Sequence, residues 1–102
     1  MEENLLTESK PTSLTLDGKE YQLPKMPLSL TTLANIEKTM GMGGMKLMQK
    51  MNDEPNTTLR LTLYALLKEK NPSITLEQTG DLVTLENIKE VSKVISQIYA
   101  MT

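Results

Sequence analysis

Hydrophobic and polar residues alternate on either side of Asp17-Gly18, over residues 12–23. An Asp-Gly pair between alternating runs favours a two-residue hairpin turn. Such a turn pairs Leu14 with Tyr21 and places four apolar side chains on one face: Leu14, Leu16, Tyr21 and Leu23. A lone hairpin is barely stable in water. We therefore expect this face to pack against the rest of the chain.

Beyond Pro24 and Pro27 the apolar spacing changes to steps of three and four, which is typical of helices. Ser29 or Thr31 is suited to cap the first helix, and Gly41 to end it. The predicted helices cover residues 30–41, 43–52 and 57–70, a short segment that starts at Thr75, and residues 85–100. In the first of them we expect four buried positions: Leu30, Leu33, Ile36 and Met40.

The last predicted helix has the most regular pattern in the chain. Thr84 is the expected cap, and six apolar residues follow on one side: Leu85, Ile88, Val91, Val94, Ile95 and Ile98. The pattern as a whole predicts a mainly α (α+β) fold, in which an N-terminal β-hairpin precedes a compact bundle of about four to five helices. Residues 12–102 form one helical domain in this interpretation, and the polar, acidic residues 1–11 form a disordered tail.

Methionine is concentrated in MGMGGMKLMQKM, residues 40–51, which contain five of the eight methionines. In a helix, steps of three residues from Met42 to Met51 drift through about 180°, and Leu47 widens the apolar arc to roughly 220°. A core-facing stripe is nearer about 100° wide. Either this helix is sandwiched on two sides, or part of its surface is free for another chain.

Other chemistry for this segment is disfavoured by the residues around it. A phosphate-binding loop needs Gly-Lys-Ser/Thr after a buried strand, whereas Met45 separates Gly44 from Lys46. Thioethers bind Cu(I), but such sites usually occur in exported proteins, and the acidic N-terminus has no apolar signal region. We therefore expect no cofactor and no metal.

The composition argues against an enzyme. The chain has no His and no Cys, which removes the commonest general bases, thiol nucleophiles and zinc ligands. Glu86 and Glu90 fall on one helical face, but Lys89 and Lys93 beside them indicate a solvated surface.

No run of 18 apolar residues occurs, so we expect a cytoplasmic protein that does not enter a membrane.

Residues 75–98 have the outline of a helix-turn-helix, with a short helix, a break and a longer helix. The would-be recognition helix begins Thr84-Leu85-Glu86-Asn87, which is acidic, and the net charge of the chain is −2 with a single Arg. We expect no nucleic acid partner, although a DNA-binding regulator stays an alternative.

The order of these elements resembles a known family. A hairpin leads into LANIEKTMG, then a leucine-rich helix ends LLKEKNP, and NPSITLEQTGDLV, residues 71–83, precedes a final apolar helix. Over about residues 12–100 the chain resembles the tail assembly chaperones of long-tailed phages and of phage-like gene transfer agents. The methionine cluster is not part of that pattern.

The resemblance implies a protein that is not an enzyme. Such chaperones bind the long, apolar, helical tape measure protein, keep it soluble in the host cytoplasm and assist assembly of the tail tube protein around it. They are absent from the mature virion. The alternative is a small structural or adaptor protein that self-associates as a homo-oligomer through the same surface.

An adaptable apolar groove would suit such a client, because flexible thioether side chains make modest, variable contacts. Our candidate residues lie on two predicted helices. They are Met42, Met45, Leu47, Met48, Met51, Ile88, Val91 and Ile95.

Overall fold

The computed structural model describes residues 12–100, so the tail expected at residues 1–11 lies outside the described residues. Within the described part, two strands precede five helices, which confirms the mainly α fold with an N-terminal hairpin. The strands are β1 (Ser13–Leu16) and β2 (Lys19–Gln22). The helices are α1 (Leu30–Met40), α2 (Gly44–Asp53), α3 (Pro55–Lys68), α4 (Leu76–Leu82) and α5 (Ile88–Ala100).

The hairpin has the predicted register. Leu14 pairs with Tyr21 across antiparallel strands. Asp17 and Gly18 both have positive φ, at 52° and 76°, as the tight turn requires. Leu14 and Leu23 on the inner face are buried in the common core, which explains how an otherwise marginal hairpin is stabilised.

Helix α1 begins and ends at its predicted caps. The Ser29 side chain accepts a hydrogen bond from the Thr32 backbone N–H at 3.1 Å, and Gly41 ends the helix in the left-handed conformation with φ 76°. Leu30 is 82% exposed, so its predicted burial is wrong. Leu30 is the first residue of α1, and side chains in a helix tilt toward its N-terminus. The leucine that is buried at this end is Leu28.

Helix α3 supplies much of the core. It starts at Pro55, two residues earlier than predicted, because proline lacks only an N–H that the first turn leaves unpaired anyway. Its leucines Leu63, Leu66 and Leu67 are buried. The Asn71 side-chain amide donates to the carbonyl oxygens of Leu67, at 2.7 Å, and of Gln22, at 3.1 Å, and so joins the end of α3 to β2.

The start of α5 differs from the prediction. Thr75 and Gln78 form the expected capping box at the start of α4, but α5 begins at Ile88 rather than at residue 85. The Asn87 side chain accepts from the Thr84 N–H at 2.8 Å and donates to the Leu82 carbonyl at 2.8 Å. These bonds hold a turn over residues 85–87, which leaves the Leu85 side chain outside the helix.

Helix α5 closes the core through Val91, Val94, Ile95 and Ile98, all of which are buried. Tyr99 is half-buried near its end, and burial raises the pKa of the Tyr99 phenol above its ordinary value. No helix among the described residues is both long and apolar enough to cross a membrane.

Candidate partner-binding surface

Helix α2 contributes no fully buried residue to the core, and this holds for the whole of Gly44–Asp53. Met45 is 89% exposed and Met48 is 71% exposed. Large apolar side chains this exposed on a single short helix leave a hydrophobic surface that the domain itself does not cover.

The exposed methionines share one side of α2 with two uncharged polar residues. Positions 45, 48, 49 and 52 span about 100° of the helix circumference. Gln49 and Asn52, beside Met45 and Met48, are also exposed. We call these four residues the methionine face. Lys46, Lys50 and Asp53 fall outside this arc, so α2 places no charge on the face, which has Met48 and Gln49 at its two edges and Met45 and Asn52 between them.

The opposite side of α2 holds it on the domain. Leu47 is half-buried and packs against the core, as does Met42. The Thr58 hydroxyl donates to the Lys50 carbonyl at 3.0 Å, which joins the end of α2 to the first turn of α3. Met51 is half-buried as well.

The continuous methionine arc predicted from the sequence is only partly present. Met42 precedes the helix, which begins at Gly44 with Gly43 as its N-cap, so Met42 is not part of the helical periodicity. Of the five residues expected on this segment, Met45 and Met48 are freely accessible, whereas Met42, Leu47 and Met51 are half-buried.

The candidate residues of α5 do not join this face. Val91 and Ile95 are buried in the core, so their assignment to a partner-binding groove is wrong. The helical stripe that marked them as apolar is the side of α5 that closes the domain. Ile88 is half-buried at the start of α5, in a depression that no described residue of α2 lines.

That depression is a groove of about 500 Å³ between α3 and the α4–α5 connection. We call it the Arg60 groove. Its apolar lining consists of Leu59, Val83, Leu85 and Ile88, and Arg60 with Gly80 forms another part of the wall. Leu85, at 92% exposed, is more exposed than either methionine.

Arg60 and Gly80 lie in close contact. A Cβ atom added to Gly80 would come within 2.7 Å of the Arg60 Cδ and 3.8 Å of its Nη1. The absent side chain at residue 80 therefore leaves the space in which the arginine lies across α4.

The sequence prediction missed Arg60, Gly80 and Leu85. The signal for Leu85 was available in Thr84 and Asn87, because Asn in the first turn of a predicted helix can bond the backbone and delay the helix start. Nothing local marks Arg60, whose position depends on how α3 and α4 pack.

Two of the glycines between α1 and α2 serve as helix ends. Gly41 and Gly43 are the end of α1 and the N-cap of α2. Across residues 12–100, no three His, Cys, Asp or Glu side chains are grouped closely enough to hold a metal ion.

No family model matches the chain, and neither a curated protein nor a solved structure matches it.

Proposed function

We propose that this chain is a tail assembly chaperone of a long-tailed phage or a phage-like gene transfer agent. In this proposal the methionine face binds apolar helical segments of the tape measure protein in the host cytoplasm. The chaperone keeps that protein soluble until the tail tube protein polymerises around it. The observation that supports binding most directly is the exposure of Met45 and Met48 on a helix with no fully buried residue.

The chemistry of the face suits a client with many similar apolar helices. Methionine is unbranched and polarizable, so Met45 and Met48 adapt to different side chains without a fixed fit. The neutral side chains of Gln49 and Asn52 impose no charge pattern on the client. Contacts of this kind are individually weak, which allows the chaperone to leave when the tube assembles.

The test is a solubility assay with a recombinant apolar segment of a tape measure protein from the same genome. The chain is mixed with the segment, and the soluble fraction is measured by sedimentation and light scattering. The double variant Met45→Gln/Met48→Gln should lose most of the solubilising effect, because it removes both apolar side chains of the face and keeps helix propensity nearly unchanged.

Leu30→Gln is the matched control, because Leu30 is as exposed as the methionines but lies at the start of α1. It should solubilise the segment as well as the wild-type chain does. Full activity of the double methionine variant, or an equal loss in Leu30→Gln, would contradict the assignment to this face.

The same variants separate a chaperone from a self-associating adaptor protein. Sedimentation velocity at several concentrations, without client, should show no change in mass between the wild-type chain and Met45→Gln/Met48→Gln. Concentration-dependent association that the double variant abolishes would favour the adaptor.

A further inference from the structure

The Arg60 groove combines an exposed apolar rim with a concave apolar floor. Leu85 stands at the rim, and Leu59, Val83 and Ile88 below it are half-buried. Concave apolar surfaces with a few polar groups are the usual form of ligand sites. The groove shares no lining residue with the methionine face, so it is a separate surface.

The cation in this groove has no partner in the described part of the chain. Among residues 12–100, the ion pair that forms within 4.0 Å joins Lys50 to Glu54 and leaves Arg60 without a carboxylate. Asp81 and Glu86 follow lining residues along the chain and are exposed, but both stay beyond that distance. The guanidinium is therefore available to an anionic group from outside.

Gly80 leaves room for that cation beside α4. Because the glycine has no Cβ, the Arg60 side chain lies against α4, with Nη1 3.8 Å from the position the Cβ would occupy. A guanidinium presents a planar set of donors that matches the two oxygens of a carboxylate. The apolar floor and this planar donor group lie in the same groove.

We propose that the Arg60 groove is a second binding site, which takes a polypeptide segment that presents an apolar side chain and a carboxylate on the same side. The apolar side chain packs among Leu59, Leu85 and Ile88, and the carboxylate pairs with Arg60. This inference does not depend on the methionine face or on the proposed chaperone function.

The test uses two blocked helical peptides that differ at one residue. One has Leu and Glu four residues apart, which places them on one helical face, and the other has Gln in place of Glu. Each is titrated into the uniformly ¹⁵N-labelled full chain, and amide shifts are followed by NMR. Shifts should appear at residues 59–60, 80 and 83–88.

The Glu peptide should bind about 2- to 5-fold more tightly than the Gln peptide, as expected for an accessible ion pair. The ratio should fall toward one as salt is added, because added ions screen the pair. Undetectable binding of both peptides, equal affinities at low salt, or shifts centred on α2 would overturn the proposal.

Three variants divide the site into its parts. Arg60→Gln should bring the ratio of the two affinities to about one, whereas Leu85→Ser should weaken both peptides and leave the ratio unchanged. Lys38→Gln removes the same charge at an exposed position of α1 and should behave as the wild type. The role of Arg60 would be refuted if the ratio of the two peptide affinities stayed unchanged in Arg60→Gln, or if it fell equally in Lys38→Gln.

Gly80→Ala tests the placement of the cation without removing it. The added methyl group forces the Arg60 side chain to move, so the ratio should fall toward one although the charge is kept. A second copy of this chain is the competing occupant. Self-association in sedimentation that Leu85→Ser abolishes would show that a copy fills the groove and would overturn the proposal.

Discussion

Replacing Thr58 by valine should loosen α2 while the rest of the domain stays folded. Thr58 is buried, and its hydroxyl donates to the Lys50 carbonyl at 3.0 Å. This bond joins α2 to α3, and α2 has no fully buried residue that would hold it there independently. Helices with few buried contacts open locally, without global unfolding.

The size of the effect follows from what valine leaves behind. Valine has nearly the shape of threonine and a similar helix propensity, so no cavity forms. The Lys50 carbonyl keeps its bond from the Glu54 N–H at 2.7 Å, so no buried acceptor is left unpaired. The loss is one hydrogen bond, about 0.5–1.5 kcal/mol. The free energy of opening α2 should fall by that amount, which is about 2- to 13-fold in the opening equilibrium.

Native-state hydrogen exchange measures this directly. In Thr58→Val, the α2 amides should exchange about 2- to 13-fold faster, and more so than amides in α3 and α5. Thr62→Val is the matched control, because the buried Thr62 hydroxyl donates to the Thr58 carbonyl at 2.8 Å within α3. It should not accelerate α2 selectively. Uniform acceleration in Thr58→Val, or an equal effect on α2 in the control, would refute this account of how α2 is held.

Two further predictions concern stability. Met40→Ala should lower the free energy of unfolding by about 2–5 kcal/mol, because Met40 is buried. Met45→Ala should lower it by under about 1 kcal/mol. Equal losses of the two variants in urea titrations would contradict the burial pattern. Burial raises the pKa of Tyr99 in the folded state, so the unfolded chain loses its phenolic proton at a lower pH than the folded chain does. The contribution of Tyr99 to stability is therefore intact below about pH 10 and declines as the pH rises further. Tyr99→Phe should reduce that alkaline decline, measured by urea unfolding from about pH 9 to about pH 11, and an unchanged slope would show that Tyr99 does not contribute to it.

The parts of the fold that depend on local chemistry were predictable from the sequence. Asp17-Gly18 permits the positive φ angles of the turn, and alternation then sets the register. Ser29 and Thr75 cap helices because their side chains reach the backbone N–H three residues ahead. In each case the relevant atoms are neighbours in sequence, so no knowledge of packing is needed.

Errors arose where two interactions compete or where distant elements meet. Asn87 bonds the turn at residues 84–87, and this displaces the start of α5 and exposes Leu85. Periodicity identified Val91 and Ile95 as one apolar side of a helix, but it does not distinguish a side that closes the core from one that meets a partner. That distinction depends on the other elements packed against the helix.

The candidate surfaces show the same limit. Methionine spacing identified a helix with more apolar surface than one core face needs, and the structure exposes Met45 and Met48. The Arg60 groove could not be predicted, because it requires Gly80 of α4 to meet Arg60 of α3 across about twenty residues of sequence.

Helix α3 is largely buried whereas α2 exposes one side, and this difference affects which substitutions each helix tolerates. Substitutions at Leu63 or Leu66 disturb the core, so α3 is constrained by folding. Exposed positions of α2, such as Met45, Met48 and Gln49, meet no such constraint, because they can change without a cavity or an unpaired polar group. The outer face of α2 can therefore change to suit a different partner without loss of the fold, whereas the buried leucines of α3 cannot change in this way.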